Sequence, residues 1–299
     1  MESAASRGRA PFSGKIGSSG PRSFARRLRT DAEFHGEWAR RYPELKDEAI
    51  AETLADPAVM ESFRTGDELP REFGLALDER VVEFPWVIAR RPTGDVLDAG
   101  SALNHRVVLE PLLPSVRSLT ITTFTPDAER ELPGPRYVAA DLRELPFEDR
   151  SFDTVVSIST LEHVGMDNSE YGSSEPRSDD PDREMGRALD ELRRVLRPGG
   201  RLLLTVPYGR REDHGWLRQF DRRGLRRLLE RSRMRLDELV VYRHTLAGWH
   251  VSGLWRASLA RYRNFHAQPT PQRDCASAAR AVACAELSLP PASGSSDQV

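Results

Sequence analysis

Cysteine is close to absent. Cys275 and Cys284 are the only two in 299 residues, which excludes a disulfide framework and a paired C-x-x-C metal site and fits a reducing cytoplasm. Lysine is as scarce: Lys15 and Lys46 stand alone beside a large arginine complement. Arginine spread evenly along a chain marks no recognition surface and reflects coding bias. No run approaches the roughly 18–20 apolar residues that span a bilayer, and the first residues lack the apolar core of a secretory leader. The formal net charge of −2 supplies no broad field for a polyanion, so no nucleic-acid partner is expected. These absences point to a cytoplasmic protein without a membrane span. Nothing in the sequence sets its oligomeric state, and its partners must be argued from sites.

The length suits one catalytic-sized domain with extensions. Residues 1–30 read as a disordered basic tail, in which seven basic residues face Glu2 and little apolar periodicity exists to fold around. Residues 31–93 read as a helical N-terminal extension of short helices, with Phe34 and Trp38 four apart and breaks at Pro43, Pro57 and Pro70. Its last part, Val81 to Ile88, is densely apolar and must pack on something. Residues 94–290 form the main domain, interrupted by a 243–280 insertion that carries Trp249, Trp255, Tyr262 and Phe265 and suits a lid, a dimer surface or a packed excursion. Residues 291–299 read as a second tail.

Within the main domain, apolar runs alternate with helical or turn segments: "DVLDAG", "SLTITTF", "RYVAADL", "FDTVVSIS" and "RLLLTVPYG". Such runs predict a parallel sheet covered on both faces. Met185, Ala188, Leu189, Leu192, Val195 and Leu196 recur at helical spacing before "RPGG". A second helix is predicted over Arg222 to Arg231 behind Asp221 as N-cap, followed by the strands "LDELVVYRH" and "AVACAELSL". The expected class is α/β: a Rossmann-like, doubly wound, mostly parallel seven-stranded sheet with helices on both faces. Open sheets of this kind bind ligands beyond the carboxyl ends of their strands, where the strand order switches. Asp98, Gly100, Asp141 and Ser159 fall at such ends.

In this order, "VLDAG", "AADLRELPFEDRSFDTVVSISTLEHV" and "ELRRVLRPGGRLLLTVP" resemble the class I S-adenosylmethionine-dependent methyltransferases, over about Val81 to Leu289. The resemblance implies S-adenosyl-L-methionine as cofactor, held by Asp98, Ala99, Gly100, Thr123, Asp141, Leu142 and Ser159. It implies that Asp98 sits near the cationic methionine part, that Asp141 accepts from the adenine amine and that Leu142 packs beside the ring. Two departures stand out. The family loop reads D-x-G-x-G-x-G, whereas Ala102 and Asn104 stand at the later glycines; Asn104 is the residue expected to tolerate a left-handed backbone. Thr123 stands where an acid usually grips the ribose. Exchanging a charge-assisted hydrogen bond for a neutral one costs roughly 1 kcal/mol, under tenfold in affinity. Glu129 is a conceivable substitute. A dinucleotide dehydrogenase fares worse, because its glycines and its strand-end acid are both missing.

Methyl transfer from a sulfonium is mainly a positioning problem and needs a general base only where the acceptor loses a proton. His163 is the leading candidate, with Tyr208 and His214 beyond the fifth strand; for each, a structural role is the commoner meaning. Asp167, Asn168, Tyr171 and Asp213 suit a polar acceptor or a solvated loop, and His105 suits a helix start. The acids Asp167, Asp179, Asp180 and Asp182 read as a solvated segment, and no metal is expected. The sequence therefore points to a methyltransferase for a small-molecule acceptor, such as a sugar or natural-product hydroxyl. The rival is a non-catalytic binding or assembly protein of the same fold that has lost its cofactor.

Overall fold

The computed structural model describes residues 20–124, 131–169, 176–263 and 272–291. The chain divides into two compact units, one of residues 90–240 and 282–299, the other of residues 1–89 and 241–281.

The first of these holds the sheet. Its strands are β1 (Asp95–Ala99), β2 (Ser118–Thr123), β3 (Arg136–Ala139), β4 (Phe152–Ile158) and β5 (Leu196–Pro207). Beyond them lie the short pair β6 (Glu212–Asp213) and β7 (Arg218–Gln219), then β8 (Arg235–Thr245), which runs on into the other unit. With β9 at Gly248–Val251 and β10 at Ala281–Ser288, the order is β3-β2-β1-β4-β5-β10-β8-β9, eight strands where seven were expected, because the end of β8 turns back into the antiparallel β9. Pairings from β3 through β5 are parallel, and β10 runs antiparallel to β5. From β1 the chain winds outward to β2 and β3, then returns to the other side of β1 for β4. The switch point therefore lies between β1 and β4. Val96, Leu97 and Asp98 pair with Thr154, Val155 and Val156 in this central register, and all six are buried.

The helices of this unit follow from capping and an apolar stripe. Helix α6 (Pro181–Val195) starts where the Asp180 carboxylate accepts from the Arg183 amide at 3.0 Å, and Arg193 and Arg194 sit in its last turn. Its predicted face of Met185, Ala188, Leu189, Leu192 and Val195 is buried. Helix α7 (Arg222–Ser232) is capped as expected by Asp221, which accepts from Gly224 at 2.7 Å, and buries Leu225 and Leu228. Helix α5 (Arg106–Leu112) has His105 at its N-cap position.

The other unit contains α1 (Gly20–Thr30), α2 (Ala32–Ala55), α3 (Pro57–Thr65) and α4 (Arg80–Ala89), then the end of β8, β9 (Gly248–Val251) and α8 (Leu254–Ala257). Three expectations need correction here. Residues 20–30 are helix rather than tail, because Phe24, Ala25 and Leu28 make one buried stripe among the arginines. Pro43 does not break α2, which continues over 24 residues with Trp38, Leu45, Ala49 and Ile50 buried along it. The 243–280 segment groups with the N-terminal helices rather than with the sheet domain. Trp249 Nε1 donates to the Leu77 carbonyl at 3.1 Å, Ser277 Oγ donates to the Ala76 carbonyl at 3.1 Å, and the Trp249 amide donates to Phe73 at 2.7 Å. Gly248 is required where the chain turns back: its φ is +81°, and a Cβ would strike the Phe73 carbonyl oxygen.

Candidate active site

The strand order gathers the residues that the sequence scattered. Asp98 and Ala99 end β1, beside Ile121 and Thr122 of β2, and Thr123 lies opposite Ala139 of β3. Across the switch point, Ser159 and Thr160 follow β4 directly. Thus Asp98, Ala99, Gly100, Thr123, Asp141, Leu142 and Ser159 all lie at the carboxyl edge of β3-β2-β1-β4.

Asp98 is fully buried, and its carboxylate accepts from the Leu103 amide at 2.8 Å, so it holds the loop that follows β1 in a closed turn. The Thr122 hydroxyl donates to the Asp98 carbonyl at 3.1 Å, which ties this turn to β2. Gly100 has φ +125°, and a Cβ there would collide with the Thr160 side chain. The glycine is therefore needed both for its backbone and for the approach of the β4 exit. Asn104 does not supply the left-handed residue; Ser101 does, at φ +56°. The Asn104 side-chain oxygen Oδ1 instead accepts from the Tyr137 hydroxyl at 2.8 Å, and Ala102 is buried. The departures from the family loop are accommodated by a shifted turn.

Ser159 has φ +42°, and its amide donates to the Thr205 carbonyl at 3.0 Å. Ala140 donates its amide to the Thr123 carbonyl at 3.0 Å, carrying the β2–β3 ladder toward Asp141. Leu142 is buried, and Phe124, next to Thr123, is exposed. Arg143, which the sequence did not single out, grips Asp141. Its amide donates to Oδ1 at 2.8 Å, and its Nε faces Oδ1 at 3.0 Å and Oδ2 at 2.9 Å. Burial pushes the Asp141 carboxyl up, but the Arg143 hydrogen bonds and charge outweigh it and hold the group below its usual range.

His163 lies in the one-turn helix after β4. Its Nδ1 faces the Trp216 carbonyl at 2.9 Å, and its ring lies 5.3 Å from that of Trp216. A carbonyl only accepts, so Nδ1 carries the proton and Nε2 is the basic nitrogen. The buried Glu162 places Oε1 4.0 Å from Nε2. The Asp167 amide donates to Gly215 at 3.1 Å, so the loop after β4 and the β6–β7 turn form one assembly. His214 belongs to that turn, with its amide donating to Leu217 at 2.9 Å and Nε2 3.7 Å from Glu212. Tyr208 is fully buried at the end of β5, with burial pushing its hydroxyl up, and pairs with Phe220; it sits in the core.

Of the acids considered for a metal, Asp167, Asp180 and Asp182 have partners, as does the neighbouring Asp213. Asp213 pairs with Arg177, Asp182 with Arg218 at 2.6 Å, Asp180 caps α6 and Asp167 accepts from Ser169. Asp179 joins Asp180, Asp182 and Asp213 along a groove of about 690 Å³. Among the described residues no group of three or more His, Cys, Asp or Glu could hold a metal ion. Glu129, Tyr171 and Phe265 lie outside the described residues.

Residues 121–204 match a family model described as a methyltransferase domain. A provisionally assigned methyltransferase of Encephalitozoon cuniculi is 34% identical over 163 residues, covering 51% of this chain and 66%, just under two thirds, of that protein's length. Among solved structures, the 1,6-didemethyltoxoflavin N1-methyltransferase of Burkholderia thailandensis, with its bound substrate and S-adenosylhomocysteine, is 17% identical with 92% of each chain covered, at a TM-score of 0.41. A provisionally assigned methyltransferase of Bacillus halodurans is 17% identical over 66% of this chain and 92% of its own, at 0.43.

Proposed function

We propose that the chain is a class I S-adenosylmethionine-dependent methyltransferase, the family that its motifs resemble and whose methyltransferase domain matches residues 121–204, and that it transfers a methyl group to a small-molecule acceptor, with a sugar or natural-product hydroxyl as the acceptor class. The observation that carries this reading is the β1 turn: a buried carboxylate, Asp98, folds the loop back at a glycine that no other residue replaces.

The residues fit the cofactor. Asp98 puts negative charge at the loop that would face a sulfonium and ammonium, Asp141 is held ionised as an acceptor for an adenine amine, and Leu142 supplies an apolar flank. When bound, S-adenosylmethionine supplies an electrophilic methyl group on sulfur. The chain would supply orientation and a place for the acceptor's proton. His163 suits the second of these roles, since Trp216 fixes its tautomer with Nε2 basic and Glu162 would stabilise the imidazolium formed.

Calorimetric titration with S-adenosylmethionine and S-adenosylhomocysteine tests the reading, with Asp98→Ala and Asp141→Ala alongside. Micromolar binding weakened about tenfold or more by each substitution is expected. Folded protein that binds neither ligand at millimolar concentration would sink the proposal in favour of a non-catalytic binding protein, the reading that Thr123 in place of a ribose-gripping acid favours.

A further inference from the structure

Asp141 is an odd hydrogen-bond acceptor to find at the end of β3, because its carboxylate is already engaged before any ligand arrives. A carboxylate offers about four lone-pair directions. The Arg143 amide takes one on Oδ1, Nη2 takes one on Oδ2, and the single Nε hydrogen is shared between the two oxygens, so four contacts are made by three hydrogens. One direction is left. That matches a single N–H of an exocyclic amine and leaves no room for a second donor.

Arg143 is itself held. Its Nη1 donates to Glu184 Oε2 at 3.1 Å across 41 residues of sequence. Glu184 stands in the first turn of α6, is 4% exposed, and also receives Arg183 at 3.2 Å and Arg187 at 3.1 Å. A buried carboxylate shared among three guanidiniums is a rigid anchor, and one-sided removal of such a partner is disruptive. The chain Glu184–Arg143–Asp141 thus fixes the direction in which the last lone pair of Asp141 points, from a helix rather than from the loop itself.

We infer that Arg143, anchored by Glu184, is a positioning residue that limits Asp141 to one acceptor direction and so makes the site discriminate for the cofactor's 6-amino group. This rests on the cofactor reading above. The charged groups facing Asp141 are Arg143 from its own turn and Arg187 from α6. Without the Arg143 side chain its hydrogen bonds and charge no longer oppose burial, and the carboxyl rises from its lowered position. Affinity for an amine donor would then decline at a higher pH than in the parent protein.

Two measurements on the full chain test this. In the ligand-free protein, the Asp141 carboxyl, assigned by its loss in Asp141→Asn, is followed by carbon NMR. It should titrate below the ordinary carboxylate range in the parent and above that position in Arg143→Met. Calorimetry with S-adenosylhomocysteine and with its analogue bearing a 6-oxo group in place of the amine reads discrimination. The parent should prefer the amine about tenfold, Arg143→Met and Glu184→Gln should lose most of that preference, and Arg143→Lys should keep an intermediate share. Should Arg143→Met fail to fold, the Arg143→Lys and Glu184→Gln arms decide. Variants that bind with parental preference and an unshifted Asp141 titration overturn the inference alone. A folded parent that binds neither ligand overturns it together with the cofactor reading.

Discussion

At the scale of single residues, two interactions decide how the site is built. Gly100 and Thr160 meet across the switch point, so Gly100→Ala should be among the most damaging one-carbon changes in the chain. Its φ of +125° strains any other residue by about 1–3 kcal/mol before the clash with Thr160 is counted. A urea melt of Gly100→Ala beside Ser101→Ala would check this, since Ser101 already tolerates its position as a non-glycine. His163 is the second case. If it takes the acceptor's proton, His163→Asn should lower turnover by about 100-fold while leaving cofactor affinity close to parental. An equal fall in thermal stability and activity would instead assign it to the Trp216 contact. The positions of Asp98, Asp141 and His163 were legible in the sequence, because strand ends are readable from where apolar runs stop. Their partners were not. Leu103 is five residues from Asp98, but Glu184 is 41 from Arg143 and Trp216 is 53 from His163, and no local pattern registers such separations.

At the scale of elements, strands in the sheet unit read plainly because parallel strands buried on both faces are continuous apolar runs. The α6 and α7 helices read plainly because each couples a capping aspartate to an apolar stripe. Replacing Asp221 with alanine should therefore cost about 1 kcal/mol, within the range known for lost N-caps, measured by urea denaturation. No loss would mean that Leu225 and Leu228 packing alone sets the start of α7. The elements that were misread share one cause. Arginines around Phe24, Ala25 and Leu28 conceal a narrow stripe, and Pro43 looks decisive only when the buried neighbours that hold α2 together are unseen. The 243–280 segment has few local signals, as its backbone and side chains bond to residues near 72–79.

At the scale of the whole molecule, the unit containing the N-terminal helices has opposing pH dependences within it. Burial pushes His244 down to about 4, with Asp274 opposing and Arg280 and His250 assisting. Because that folded value lies below the unfolded one near 6.5, its contribution is present above 6.5 and is lost as pH falls toward 4. Burial, then Asp78 and Glu83, pushes Glu79 up from 4.5 to about 8. Its contribution is fully present below 4.5 and is lost as pH rises through 8. Thermal melts from pH 4 to 9 should show stability declining on both flanks, and Glu79→Gln should flatten the alkaline flank while leaving the acid one. An unchanged alkaline flank would place its origin outside Glu79.

Neither compact unit is a single stretch of chain. The polypeptide passes from one to the other after residue 89, again after residue 240 within β8, and back after residue 281 within β10. During synthesis the N-terminal helices therefore emerge first but wait nearly two hundred residues for Trp249 and Ser277, while the sheet lacks its antiparallel strand until β10 is made. A ribosome stalled at codon 240 would hold two unfinished cores at once. Neither core is therefore expected to fold cooperatively until residues 241–288 are present.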